Sequence, residues 1–126
     1  MSKSKKRDIP VFKTPIIETH CHLDYLKDND FENIIQQSQD VGIERIITIA
    51  VSPDNLEKVM VLAQTHPMIW GTQGVHPHDA DKFEAQTEVT IRENAQHERI
   101  LAIGEIGLDY YYEQSDRTIQ RQVFET

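Results

Sequence analysis

Residues 45–53 read Arg45-Ile46-Ile47-Thr48-Ile49-Ala50-Val51-Ser52-Pro53, a run of mostly β-branched residues that ends at a proline. Such a run predicts a buried β-strand. Pro53 suits the first turn of a helix, where its missing N–H costs nothing. The apolar residues after it recur at helical spacing, at Leu56, Val59, Met60 and Ala63. This segment therefore predicts one strand followed by one helix.

The same strand-then-helix pattern occurs on both sides of this segment. The other predicted strands are residues 16–19, 68–75 and 100–106, and the other predicted helices are residues 31–41, residues 84–96 and a segment from 116 onward. Successive βα units predict a parallel sheet with helices over its faces. Two architectures fit this pattern, a doubly wound sheet and part of a TIM-type (β/α)8 barrel. No glycine-rich phosphate-binding sequence follows the first strand, which favours the barrel.

The composition excludes several classes of protein. The chain of 126 residues is 38% hydrophobic and 27% charged, which is typical of a globular protein and not of a disordered one. No apolar run approaches the roughly 20 residues that a membrane-spanning helix needs. The formal net charge of −8 argues against a protein that holds nucleic acid on a broad basic surface. A nuclease is still compatible with this charge, because bound divalent cations attract phosphate locally.

The ends and the cysteine content indicate the compartment. Residues 1–14 are predicted to form a basic N-terminal tail and residues 15–126 to form the folded domain. The tail begins Met1-Ser2-Lys3-Ser4-Lys5-Lys6-Arg7, and no apolar stretch of signal-peptide length follows it. Cys21 is the single cysteine and cannot form an internal disulfide, which indicates a reducing compartment. We therefore expect a cytoplasmic protein without a membrane segment.

Candidate metal ligands lie at the ends of two predicted strands. Because strand side chains alternate faces with a period of two, His20 and His22 share one face and Cys21 points to the other. Glu105 lies among isoleucines in the fourth strand, where an ionised carboxylate is costly unless a cation pairs with it. Imidazole nitrogen and carboxylate oxygen together suit Mg²⁺, Mn²⁺ or Zn²⁺. The three side chains therefore predict a site for a divalent metal ion.

Other polar and aromatic residues near the strand ends have two interpretations each. His76 and His78 either contact a substrate or form a polar turn stiffened by Pro77. Asp109 either orients a ligand or water molecule, or makes hydrogen bonds within its loop. The segment Tyr110-Tyr111-Tyr112 either stacks on nucleobases, as aromatic side chains do in single-strand binders, or packs beneath the loop. Packing is the commoner outcome for such residues.

Three segments together resemble the TatD family of metal-dependent deoxyribonucleases. They are Glu18-Thr19-His20-Cys21-His22-Leu23-Asp24, Gly74-Val75-His76-Pro77-His78 and Gly104-Glu105-Ile106-Gly107-Leu108-Asp109-Tyr110, in that order. The resemblance extends from about Ile16 to Thr126. It implies an amidohydrolase-type barrel that binds one or two divalent metal ions and hydrolyses DNA phosphodiester bonds with metal-activated water. The family usually has aspartate where Glu18 stands, at a position that supports the ligands.

Carried over by position, the resemblance also implies roles for individual residues. His20 and His22 are ligands of one metal ion, and Glu105 is a carboxylate shared by two. His76 contacts a phosphate of the DNA substrate. Asp109 and His78 are candidates for orienting these groups through hydrogen bonds. No catalytic residue is assigned within the chain.

The length predicts only part of a barrel. An eight-unit barrel takes roughly 250 residues, so the 126 residues predict its N-terminal half, about four βα units with parallel strands and outer helices. The family's remaining ligands, two histidines and an aspartate, lie on later strands. We therefore expect a truncated chain whose unpaired barrel edges favour self-association.

Two further functions are compatible with the sequence. One is an inactive or partner-docking fragment with an incomplete metal site. The other is a related metal hydrolase that acts on a small amide or phosphate substrate, because a His-x-His pair on a first strand serves several such enzymes.

Overall fold

The computed structural model describes residues 7–126. Residues 1–6, the first part of the predicted basic tail, lie outside the described residues. Residues 7–14 are exposed, and Phe12 anchors them because its backbone N–H donates to the carbonyl oxygen of Val41 at 2.9 Å. None of the helices within residues 7–126 combines the length and the apolarity that crossing a membrane requires.

Four parallel strands form one sheet with the order β1-β2-β3-β4. Their bounds are β1 (Ile16–Cys21), β2 (Ile43–Thr48), β3 (Ile69–Gln73) and β4 (Ile100–Ile103). Because neighbours in the sheet are also neighbours in the chain, the sheet is wound in a single direction, as in a barrel. The predicted parallel α/β architecture, a partial TIM-type barrel, is confirmed.

One helix follows each strand. The helices are α1 (Asp28–Asp40), α2 (Leu56–Thr65), α3 (Ala85–Asn94) and α4 (Arg117–Glu125). Short 3₁₀ turns precede three of them, at Leu23–Tyr25, Pro53–Asn55 and Pro77–Lys82. These turns occupy the ends of the strands, where the predicted polar residues lie.

Three of the predicted strands end earlier than the sequence suggested, because β2 ends at Thr48, β3 at Gln73 and β4 at Ile103. After β2, the N–H of Ala50 donates to the side-chain hydroxyl oxygen of Thr72 in β3, and not to a backbone carbonyl oxygen of that strand. After β4, the N–H of Glu105 donates to the carbonyl oxygen of Ala50 at 2.8 Å, which belongs to the segment following β2 and not to the neighbouring β3. The chain therefore leaves the sheet before residues 51 and 106, where the apolar runs end.

The core lies between the sheet and the helices. One buried cluster joins the middle of the sheet to α1 through Leu23, Ile35, Ile46, Met68 and Ile69. A second cluster places Ala50 against Leu56 and Val59 of the next helical segment. The outer strands are less protected, because Ile17 of β1 and Leu101 and Ile103 of β4 are each about half exposed.

Candidate metal centre

Three candidate ligands meet at the C-terminal end of the sheet. His20 lies in β1, His22 follows that strand directly, and Glu105 follows β4. One ligand atom from each of the three lies within 4.8 Å of the other two. Within the cluster, His20 Nε2 lies 3.5 Å from Glu105 Oε2. Residues from the first and the last strand of the sheet therefore form a single cluster.

A backbone carbonyl fixes the orientation of His22. Its Nδ1 lies 3.3 Å from the carbonyl oxygen of Ile49, which can only accept a hydrogen bond. The proton of the neutral ring is therefore on Nδ1, and Nε2 keeps its lone pair for a metal ion. The ring of Tyr25 stacks on His22 with centroids 4.9 Å apart and an interplanar angle of 14°. Tyr25 was not singled out from the sequence, although its place three residues after His22 in a 3₁₀ turn brings the rings together.

The carboxylate of Glu18 supports His20 through the backbone. Glu18 Oε1 accepts a hydrogen bond from the N–H of His20 at 2.9 Å. The side chain of His20 is 54% exposed, so its imidazole is accessible to an ion from solvent.

Hydrogen bonds on both sides of Glu105 hold its backbone in place. The Gly104 N–H donates to the carbonyl oxygen of Gln73, and the hydroxyl of Thr72 donates to the carbonyl oxygen of Gly104 at 2.7 Å. Close approach is possible because Gly74 has no side chain, since a Cβ there would lie 2.6 Å from the Gly104 carbonyl carbon. This packing sets the position from which the Glu105 side chain projects.

The surroundings of Glu105 differ from those expected. The sequence predicted a carboxylate inside an apolar strand, but Glu105 lies beyond β4 with its side chain 34% exposed. The cost of burying an unpaired charge is therefore a weak argument for a metal ion here. The imidazoles around the carboxylate favour a metal ion here instead.

His76 also faces Glu105. Its Nε2 lies 3.4 Å from Glu105 Oε1, while its Nδ1 accepts a hydrogen bond from the N–H of His78 at 3.1 Å. In the neutral ring the proton is therefore on Nε2, which can donate to Glu105 or to an anionic oxygen in its place. The N–H of His76 donates to the carbonyl oxygen of Val51 at 2.7 Å and ties this turn to the segment after β2.

His78 and Asp109 form a pair behind His76. His78 Nε2 lies 2.6 Å from Asp109 Oδ2, and the His76 and His78 rings meet edge to face with centroids 4.4 Å apart. The hydrogen bond from His78 holds the pKa of Asp109 below its usual range, and the N–H groups of Tyr112 and Tyr111 act in the same direction. The structure does not bring this pair into the cluster of three candidate ligands.

A buried glutamine, which the sequence reasoning missed, holds the loop that contains Asp109. Gln120 is 1% exposed, its Oε1 accepts from the N–H of Asp109, and its Nε2 donates to the carbonyl oxygens of Asp109 and Ser115. The sequence did carry a signal for it, because Gln120 shares a helix face with the apolar residues Val123 and Phe124.

The tyrosines do not pack beneath this loop. Tyr111 is 86% exposed and Tyr112 is 64% exposed, so the expectation of core packing is wrong for both. The physical reason is that Gln120 fills the interior of the loop. Tyr110 is less exposed and lies under the guanidinium of Arg117, which is 4.7 Å from its ring centroid.

Cys21 faces away from the two histidines, as strand alternation predicted. Its Sγ lies 3.7 Å from the carbonyl oxygen of Ile47, and the side chain packs against the core. Burial raises the pKa of the thiol to about 12, with further contributions from Glu18 and Asp24. The thiol is therefore not part of the cluster.

The donor set of the cluster fits a divalent metal ion. Two imidazole nitrogens and one carboxylate oxygen suit zinc, manganese and related ions, and a carboxylate beside open positions also suits magnesium. Three protein ligands leave positions for water and substrate, as catalytic metal sites require.

Comparison with known proteins identifies the family of the chain. The family model described as TatD related DNase matches residues 17–126. The "Uncharacterized metal-dependent hydrolase YabD" of Bacillus subtilis is 32% identical over 110 residues, which cover 86% of this chain and 43% of that protein. The "3'-5' ssDNA/RNA exonuclease TatD" of Enterobacter lignolyticus is 36% identical over 81 residues, 64% of this chain and 31% of that protein.

A solved structure shows the same fold. The crystal structure of YJJV, a TatD homologue from Escherichia coli, matches with a TM-score of 0.77 and 26% sequence identity. The match covers 86% of this chain and 43% of that one. This chain therefore spans less than half the length of these relatives.

Proposed function

The chain belongs to the family of TatD-related DNases, and on that premise we propose that the protein hydrolyses phosphodiester bonds of DNA in a metal-dependent reaction. The observation that carries the proposal is the cluster of His20, His22 and Glu105, whose ligand atoms lie within 4.8 Å of one another. The relatives support it, because one is named a metal-dependent hydrolase and another an exonuclease of single-stranded DNA and RNA.

In this proposal, His20, His22 and Glu105 would hold a divalent ion of the magnesium, manganese or zinc class, and Glu105 would be shared with a second ion if one binds. Such an ion supplies a strong nucleophile at neutral pH, because it lowers the pKa of a bound water molecule. The hydrogen bond from His22 Nδ1 to the carbonyl oxygen of Ile49 fixes the tautomer of the neutral ring, so that Nε2 offers its lone pair to the ion.

His76 binds the phosphate. Its Nε2 lies 3.4 Å from Glu105 Oε1, at the edge of the cluster, and it donates to a non-bridging phosphate oxygen when the substrate enters. Since its Nδ1 already accepts from the N–H of His78, Nε2 is the ring nitrogen that donates to the phosphate. Asp109 and His78 keep this turn in place from behind.

The first test is the substitution Glu105→Gln, which keeps the size of the side chain and removes its charge. We expect metal-dependent cleavage of a labelled single-stranded oligonucleotide to fall by more than about 100-fold, because replacing even a residue that supports a ligand commonly costs 10- to 100-fold. Glu88→Gln, which alters an exposed carboxylate paired with Arg92, is the matched control and should leave the rate unchanged. Full activity of Glu105→Gln would contradict the proposal.

A second candidate function is hydrolysis of a small amide or phosphate monoester at the same cluster. It is favoured by the name of the Bacillus relative, which specifies a metal-dependent hydrolase and no nucleic acid. Turnover of amide and phosphomonoester substrates, measured beside the oligonucleotide, separates the two functions.

We also propose that the 126-residue chain associates with a second copy through the edges of its sheet. The support is the exposure of apolar side chains on β1 and β4, at Ile17, Leu101 and Ile103. The cytoplasmic location stays a prediction that rests on the single cysteine.

A further inference from the structure

A row of rings leads from the candidate metal centre to the protein surface. His76 lies 3.4 Å from Glu105, and its ring meets that of His78 at a centroid distance of 4.4 Å. The ring of His78 meets Tyr112 at 5.8 Å, and Tyr112 meets Tyr111 at 4.8 Å. One ring, that of His78, therefore lies between His76, which faces the cluster, and Tyr112.

The two tyrosines have no role in the core. They expose 86% and 64% of their surface, whereas a tyrosine that stabilises a fold buries most of its ring. Their rings are nearly perpendicular, with an interplanar angle of 87°, so they present two different faces to solvent.

The backbone beneath them is nevertheless well anchored. Asp109 Oδ1 accepts hydrogen bonds from the N–H groups of both Tyr111 and Tyr112, at 3.1 Å each. Gln120 holds Asp109 in turn, through both its N–H and its carbonyl oxygen. Exposed rings on a fixed backbone lose little conformational entropy when they bind a ligand.

We propose that Tyr111 and Tyr112 form a stacking platform for unpaired nucleobases next to the phosphate that His76 binds. This inference rests on the proposed function and names the structural basis of its substrate class. Bases stack on exposed aromatic side chains without regard to sequence, because every base has a π-face. The platform selects single strands, because the bases of a duplex are already stacked on one another.

The local charge favours stacking over a basic surface at this place. Asp109 and Glu113 border the tyrosines with negative charge, and Arg117 is shared between Glu113 and the face of Tyr110. With a formal net charge of −8, the chain does not hold nucleic acid on a broad basic surface. Stacking on the tyrosines therefore adds to the phosphate contacts that His76 and the metal ion make in the proposed function.

Direct binding tests the platform without requiring turnover. The probe is a short fluorescein-labelled oligothymidine with phosphorothioate linkages, which resist hydrolysis, and its anisotropy is measured in the presence of Mg²⁺. We expect the double substitution Tyr111→Ala/Tyr112→Ala to raise the Kd at least about fivefold, the effect of losing one stacked base. The matched control Tyr111→Phe/Tyr112→Phe keeps both rings and should bind as the unaltered protein does.

One further variant and one further ligand distinguish stacking from other contacts. Tyr111→Leu/Tyr112→Leu keeps apolar bulk without a π-face and should bind as weakly as the alanine variant. A strand of the same length whose residues lack bases keeps the phosphates, and we expect it to bind weakly and equally to all variants. Because both tyrosines are exposed, the variants should unfold at the temperature of the unaltered protein.

The outcomes for the platform and for the proposed function are distinct. Equal Kd values for the alanine and phenylalanine variants, or tight binding of the strand without bases, would overturn the platform even if cleavage occurs. Binding that depends on the rings, without cleavage of any oligonucleotide in Mg²⁺, Mn²⁺ or Zn²⁺, would support the platform and overturn the proposed hydrolysis.

Discussion

Adjacent residues at the end of β1 have opposite environments. Cys21 packs on the core and lies near the carbonyl oxygen of Ile47, while His20 and His22 face the open end of the sheet. The two-residue period of a strand produces this separation without any further contact. A pair of candidate ligands and a partly buried thiol therefore lie within three consecutive residues.

The partly buried thiol of Cys21 should react slowly. Burial raises the pKa of the thiol from its ordinary value of 9.0 to about 12, so at pH 8 almost none of it is the reactive thiolate. We expect alkylation by iodoacetamide at pH 8 to be at least about 100-fold slower in the folded protein than in urea. Mass spectrometry of timed samples measures both rates, and equal rates would show that the side chain is accessible.

For single residues, the sequence predicted the features that depend on the alternation of strand side chains. It missed the features that depend on contacts with residues distant in the chain. The shared face of His20 and His22 follows from their spacing alone. The exposure of Tyr111 and Tyr112 does not, because Gln120, which fills the space beneath their loop, comes from the next helix. Polar side chains that replace apolar packing leave only a weak trace in a sequence.

Among the elements, the residue after β3 and the residue after β4 are in close contact, because Gly74 lies against Gly104. A Cβ at position 74 would meet the Gly104 carbonyl carbon at 2.6 Å, a distance that real side chains do not tolerate. The backbone that precedes Glu105 would have to move, and the carboxylate would move with it.

We therefore expect Gly74→Ala to weaken metal binding as well as stability. Overpacking of this kind typically costs 1–3 kcal/mol of unfolding free energy, and displacement of Glu105 should raise the Kd for Mn²⁺. Isothermal titration and urea unfolding measure the two effects. Gly104→Ala is the matched control, because a Cβ there would meet none of the described residues within 4 Å. Unchanged Mn²⁺ affinity in Gly74→Ala would refute the link between this contact and the cluster.

The order and type of the elements were predictable, but their ends were not. Apolar periodicity distinguishes strands from helices, and it indicated four of each. The end of β2 depends on the hydroxyl of Thr72, and the turn that follows depends on Asn55, whose side chain accepts from the N–H groups of Val51 and Ser52. Such side-chain acceptors end a strand without changing its hydrophobic pattern.

Across the whole molecule, the sheet curves as a barrel does. In a flat sheet, three strand spacings of about 4.8 Å would hold the outer strands roughly 14 Å apart. Instead, the backbone after β4 reaches the segment after β2, because the N–H of Glu105 donates to the carbonyl oxygen of Ala50 at 2.8 Å, and from there the Glu105 side chain reaches His20 of β1 at 3.5 Å. The candidate site therefore depends on the curvature of the entire sheet.

The curved sheet also leaves apolar side chains open on β4, and charges there should reduce association. We expect Leu101→Lys/Ile103→Lys to shift the 126-residue chain toward the monomer in analytical ultracentrifugation, because lysine on an edge strand opposes pairing with another chain. Val61→Lys, at a similarly exposed position on α2, is the control and should have no effect. If the protein with native edges is already monomeric at high concentration, self-association through the edges is wrong.

The meeting of His22 and Glu105 across the sheet also has a consequence for folding. An ion bound there acts as a cross-link that closes a loop of roughly 80 residues. The unfolded chain has no such site, so metal binding and global folding are thermodynamically linked. At a free metal concentration 100 times the Kd, the linkage is worth about 2.7 kcal/mol of unfolding free energy. The melting temperature should therefore rise with Mn²⁺ concentration in the unaltered protein and stay constant in Glu105→Gln. Binding of the ion then reports whether the whole sheet is folded.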